Sequence, residues 1–151
     1  MIITLHTQRI LDEVRRKVYF EVKPIQEPEA RHDARVDEEK SYELGRSLLD
    51  SDAALQSLVM RFIRHDETVE TCDAPNIPEM FTYEFAFTER RMKGKLPALT
   101  ETMHDYLVNE TLARHFNTVT QTQLSDRHAA LAEVCAKRIT EMLFTKNPPI
   151  V

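Results

Sequence analysis

Two glycines in 151 residues, Gly45 and Gly94, set the first limit on the fold. Tight hairpin turns and phosphate-cradling loops need residues that take positive φ without strain, and glycine does so most readily. A many-stranded sandwich or a dinucleotide-binding fold is therefore disfavoured. Helices need no internal glycine, and apolar residues recur at helical spacing along most of the chain. Ile10, Leu11, Val14 and Val18 form one stripe. Leu44, Leu48, Leu55, Val59 and Phe62 form a second, flanked by Leu49 and Ile63. Leu99, Met103, Tyr106, Leu107, Leu112 and Phe116 form a third, and Leu131, Val134, Cys135, Ile139, Met142 and Leu143 a fourth.

Punctuation separates the stripes. Thr7 can cap the first helix and Pro24 ends it. Residues 23–40 are charge-dense with two prolines and read as a linker, exposed over about 23–36. One long helix is expected from about 36 to 64, with a break at Asp50-Ser51-Asp52 as the alternative. Pro75 and Pro78 mark a loop. Pro97 suits the first turn of a helix, where its missing N–H costs nothing. A break follows near residues 117–122, Ser125 can cap the last helix, and Pro148-Pro149 stops it. The expected fold is mainly α: a single helical domain over residues 1–151, an antiparallel bundle of about four helices with a small β-hairpin insertion.

The insertion is predicted by Phe81, Tyr83, Phe85 and Phe87, which alternate with Thr82, Glu84, Ala86 and Thr88. Alternation of this kind is strand grammar, with the rings on one face. The nearest partner strand is Glu67–Cys72, and the pair can be supported by its own bundle as a structural flap, by a third strand such as Ile2–Leu5, or by a neighbouring subunit. A two-stranded hairpin alone is marginal in water. An exposed strand edge invites pairing with another chain, which makes Thr82, Glu84 and Thr88 candidate partner contacts.

Charge and cysteine usage exclude further classes. A net charge of -5 argues against a general nucleic-acid binder. Arg90, Arg91, Lys93 and Lys95 nevertheless form a local basic run at a helix start, where an anion or partner contact is conceivable; a solvated turn is the plain alternative. Cys72 and Cys135 are the only cysteines, with no CxxC, which points to a reducing compartment. No apolar run is long enough for a bilayer span or a leader, so a cytoplasmic location is expected.

Chemistry has few candidates. Glu29/His32 and Glu101/His104 have the Glu-x-x-His spacing that carboxylate-bridged di-metal bundles use, with Glu13 and Glu43 beside the apolar faces. The first pair lies in the charged linker, so no metal and no cofactor is expected. His6, His65, His115 and His128 lack partners at zinc spacing and read as surface or helix-end residues. Cys135, on an apolar face, reads as inert core, and Cys72 has acidic neighbours that suppress thiolate formation. With neither a nucleophile elbow nor a phosphate loop, the chain reads as a non-enzyme.

The layout as a whole carries a resemblance. ITLHTQRILDEV at the start, the acidic linker into a long helix, the aromatic strand, LPALTETMHDYLVNETLARHF and the closing FTKNPPIV resemble small helical prophage structural proteins of the head–tail connector or neck type. That resemblance implies antiparallel helices and a place in virion assembly, with other copies of the chain or other virion proteins as partners. A small interaction or regulatory module touching nucleic acid through residues 90–95 is the alternative, and a di-metal bundle enzyme a more distant one.

Overall fold

A computed structural model describes residues 1–36, 38–64 and 77–144, with the side chains of Glu38 and Glu39 left out of the description. Strand β1 (Ile2–His6) runs directly into helix α1 (Thr7–Val22). Helices α2 (Pro28–Ala34) and α3 (Glu38–Val59) follow, then strand β2 (Met80–Glu84). A short 3-10 turn over Glu89–Met92 leads into helices α4 (Leu96–Thr118) and α5 (Thr122–Leu143). The chain is thus mainly helical with a small antiparallel sheet, and five α-helices lie among the described residues.

Helix α4 is the centre. It packs against α1, α3 and α5. Its buried residues are not confined to one stripe: Met103, Leu107, Val108, Leu112 and Phe116 are joined by His104, Asn109, Thr111 and His115. A helix buried on several sides has little solvent face left, so the polar residues that point inward must find partners there. The surrounding helices are amphipathic and each gives one face to α4. α1 buries Ile10, Leu11, Val14, Val18 and Val22. α3 buries Leu44, Leu48, Leu55 and Val59. α3 passes unbroken through Asp50-Ser51-Asp52 because both inner polar residues are satisfied: Ser51 Oγ donates to Ser47 O, and Asp52 accepts from Gln56 and Tyr83. Gly45 is buried on α3 where a Cβ would collide with the Ile77 side chain, so glycine here serves close packing.

The strand pairing is long-range. β1 and β2 are antiparallel, with Ile3 opposite Tyr83 and Leu5 opposite Phe81. The N-terminal strand, one of the supports weighed at the sequence level, thus takes the place of a hairpin mate; residues 67–72 lie outside the described residues. Phe81, Tyr83 and Phe85 are buried and Thr82 and Glu84 exposed, as the alternation requires. Past β2 the other rim is already used: Arg64 N–H donates to Glu84 O, and Ala86 N–H to Phe62 O. The edge that was expected to await another chain is therefore closed at Glu84–Ala86 by the same molecule, which removes the argument for strand addition there.

Three local expectations change. Residues 23–36 are largely exposed, yet they contain α2: Pro28 opens that helix instead of blocking one, and Ala34 is fully buried. Thr7 lies inside α1, and its hydroxyl donates to Pro78 O at 2.6 Å, tying the start of α1 to the start of β2. Ser125 likewise lies within α5 and donates to Ala113 O at 2.8 Å, clamping α5 onto α4.

Candidate functional site: the polar seam along α1

On α1, Glu13, Lys17 and Glu21 are spaced four apart and share one side. That side meets α4 and α5. Glu13 Oε2 lies 2.5 Å from Nε2 of His104, which is 2% exposed. Lys17 Nζ sits 3.5 Å from the other Glu13 oxygen. One ligand-type atom from each of Glu13, His104 and Asp105 falls within 4.8 Å of the others. Two turns along, His128 Nε2 lies 2.6 Å from Glu21 Oε2 and Nδ1 lies 3.0 Å from Asn109 Oδ1. Asn109 Nδ2 donates to Asp105 O, which fixes its oxygen toward His128. Both ring nitrogens of His128 therefore face side-chain oxygens, one on α1 and one on α4. The ring also stacks on Phe116 at 5.7 Å.

Electrostatics follow from burial and neighbours. Burial alone would raise the Glu13 carboxyl, but the hydrogen bond and charge of His104, with Lys17, draw it below the usual value. Burial raises Asp105, against the pull of His104. Burial first, then the Asp105 charge, raises the Cys135 thiol, so it is a poor nucleophile. His115 is held below the ordinary imidazole value by burial, partly offset by its 2.7 Å hydrogen bond to Ala34 O. Asp52 is raised by burial against the hydrogen bonds from Tyr83 and Gln56.

As chemistry, this is a set of struts. Each buried histidine joins two elements: α1 to α4 at His104, α1 to α5 at His128, α2 to α4 at His115. Glu13, His104 and Asp105 are the residues that could hold a cation, one nitrogen and two carboxylates, but the Lys17 ammonium already supplies positive charge there. The di-metal pattern does not form. Glu101 turns outward to Arg9, 3.3 Å away, while its spacing partner His104 faces inward. Glu29 and His32 are both exposed on α2. The two Glu–His pairs that do form are eight residues apart on α1, about 12 Å along its axis, against the roughly 4 Å of a bridged metal pair. Of the other histidines, His6 is exposed, and His65 and Cys72 lie outside the described residues; His115 is at a helix end, in the last turn of α4, but buried, and His128 is buried within α5 and is neither of the two expected kinds.

The basic run divides. Arg91 turns inward: its guanidinium lies over the Phe87 ring at 4.6 Å and Nη2 donates to Leu143 O at 3.2 Å. Arg90, Lys93 and Lys95 stay exposed. Thr88 is exposed before the 3-10 turn, and Glu84 pairs with Arg64 at 3.7 Å. Thr82 is exposed on β2.

An apolar surface was missed. Leu131 and Val134 were assigned to the core face of α5, but they are 43% and 46% exposed. His128, Ala132, Ile139 and Leu143 make the buried face, and Leu131 and Val134 lie to one side of it. Helical spacing alone does not set them apart, because they continue the same run of apolar positions as Ile139 and Leu143. On α1, Tyr19 and Phe20 similarly fall outside the Ile10–Val14–Val18 line and are exposed. Phe20 and Leu131 line the same groove between α1 and α5. Among the described residues no helix is long and apolar enough to cross a membrane. No family model matches the sequence, and neither curated proteins nor solved structures yield a match.

Proposed function

We propose that this chain is a non-enzymatic assembly subunit of a tailed phage or prophage particle, of the connector type that its layout resembles, acting through protein contacts. One observation carries the assembly reading: the side chains of Tyr19, Phe20, Leu131 and Val134 are each about half exposed beside a well-filled core. Contiguous exposed apolar surface on an otherwise packed domain marks an interaction site. The buried polar groups support the non-enzymatic part, because the three buried histidines, Asp52 and Thr111 all spend their hydrogen bonds between elements. The decisive experiment is mass spectrometry of particles purified after prophage induction in the cell that carries the gene. The chain should be present in a fixed copy number per particle. Its absence from intact particles overturns the proposal.

A further inference from the structure

We infer that the groove between α1 and α5 docks an acidic amphipathic helix presented by another protein, an inference that rests on the assembly reading and names the chemistry of the partner. The groove encloses about 480 Å³. One wall is α1, with Arg16, Lys17 and Phe20; the other is α5, with Arg127 and Leu131. Phe20 is 58% exposed, and Val134 extends the apolar wall by one turn beyond Leu131. The centre is therefore apolar and both walls carry cations. Glu21 also lines the groove, but its carboxylate is committed to His128 at 2.6 Å. Lys17 is likewise committed, to Glu13 at 3.5 Å. What remains unmatched is the positive charge of Arg16 and Arg127 around apolar anchors.

That combination selects the occupant. A helix laid into a groove offers apolar side chains at i, i+4 and i+7, and glutamates flanking them would meet Arg16 and Arg127. A second copy docking symmetrically through the same groove would set these two cations against their equivalents, which is repulsive. A single nucleic-acid strand would need open ring faces for stacking. Here the Lys23 ammonium lies 4.5 Å from the Tyr19 ring centre and 5.1 Å from that of Phe20, and the opposite wall is aliphatic.

The probe is a fluorescein-labelled designed helix about five turns long, with leucines at i, i+4 and i+7 and flanking glutamates. Its anisotropy is titrated with the full chain at low and high salt. Saturable binding that weakens with salt is expected. Leu131→Asp, and separately Arg16→Glu with Arg127→Glu, should each lower affinity at least tenfold, about 1.4 kcal/mol, with the helical circular dichroism unchanged. The charge-reversed chain should instead prefer a lysine version of the probe, a gain that misfolding cannot produce. Absence of saturable glutamate-probe binding below about 1 mM overturns the inference. So does binding that both variants leave unmoved, tighter binding of oligothymidylate, or a dimer that Leu131→Asp dissolves. Probe failure with the chain still present in particles removes this inference alone; probe binding with the chain absent from particles removes the assembly reading.

Discussion

Tyr83→Phe tests how the small sheet is fastened to the helices. Tyr83 is 1% exposed on β2, and its hydroxyl donates to Asp52 on α3. Asp52 is itself buried, with Gln56 Nε2 as its other donor at 2.8 Å. The substitution removes one oxygen, leaves the ring in place and strips a buried carboxylate of half its support. A hydrogen bond to a charged acceptor contributes about 1.5–3 kcal/mol, so a loss of about 2 kcal/mol is expected at neutral pH. For a chain of this length that corresponds to a fall in Tm of roughly 4–8 °C. The pH dependence sharpens the test. The folded-state pKa of Asp52 is raised above 3.8, chiefly by burial, and the Tyr83 hydrogen bond opposes that rise. A carboxyl raised on folding favours the folded state when protonated and penalises it progressively as pH climbs through that folded value. Without the hydroxyl the penalty deepens, so the variant's deficit should be greatest at neutral pH. It should shrink toward about 1 kcal/mol as pH falls below 3.8, where Asp52 is protonated in both states and only a neutral hydrogen bond is left to lose. Urea unfolding of parent and variant at several pH values reads this directly. A deficit under about 0.5 kcal/mol, or one independent of pH, would refute the claim that this pair is a buried, ionisable fastening.

Other perturbations follow from the same packing. Phe85→Asp puts a charge at a side chain 2% exposed, and should cost about 4 kcal/mol or more in urea unfolding; a Tm near that of the parent would show that the ring face is not core. Glu13→Gln should flatten the acid limb of the stability curve. Glu13 is drawn below 4.5 in the folded state, so its contribution is present above that value and lost as pH falls through the folded one; an unchanged limb contradicts the His104 pairing. His115 has the opposite chemistry and the same sign: its lowered folded value means that protonation below 6.5 destabilises the fold. His115→Gln should therefore reduce the loss of stability as pH falls below 6.5 in the same urea series, and an unchanged slope removes His115 as its source. Leu131→Ser, by contrast, should alter stability by no more than about 0.5 kcal/mol, because the side chain is nearly half exposed; a larger loss would return Leu131 to the core.

What the sequence made legible was periodicity. The stripes of α1 and α4 fell where expected, and that of α3 as far as Val59, where the helix ends short of the expected 64; Phe62 lies in a turn beyond it and Ile63 pairs with Phe85. The alternation around Tyr83 gave β2 and its buried side, but not its mate, because register with Ile2–His6 is decided some eighty residues away. Local rules misread α2, where Pro28 at a helix start resembled a linker proline. Spacing also misdirected the site: Glu101 and His104 are three apart, yet the partner that matters to His104 is Glu13, on another helix. Such cross-element pairs have no signature along the chain. The surface at Leu131 was hidden for a simpler reason, as an apolar residue at helical spacing looks the same whether covered by its own fold or left for a partner.

The most direct test asks whether that surface matters in the particle. With the chromosomal gene deleted, a chain carrying Phe20→Ser and Leu131→Asp is supplied in trans and purified particles are probed for it. The account predicts that the variant accumulates as a folded protein but is missing from particles that incorporate the parent chain. Incorporation of the variant at the parental level would contradict it.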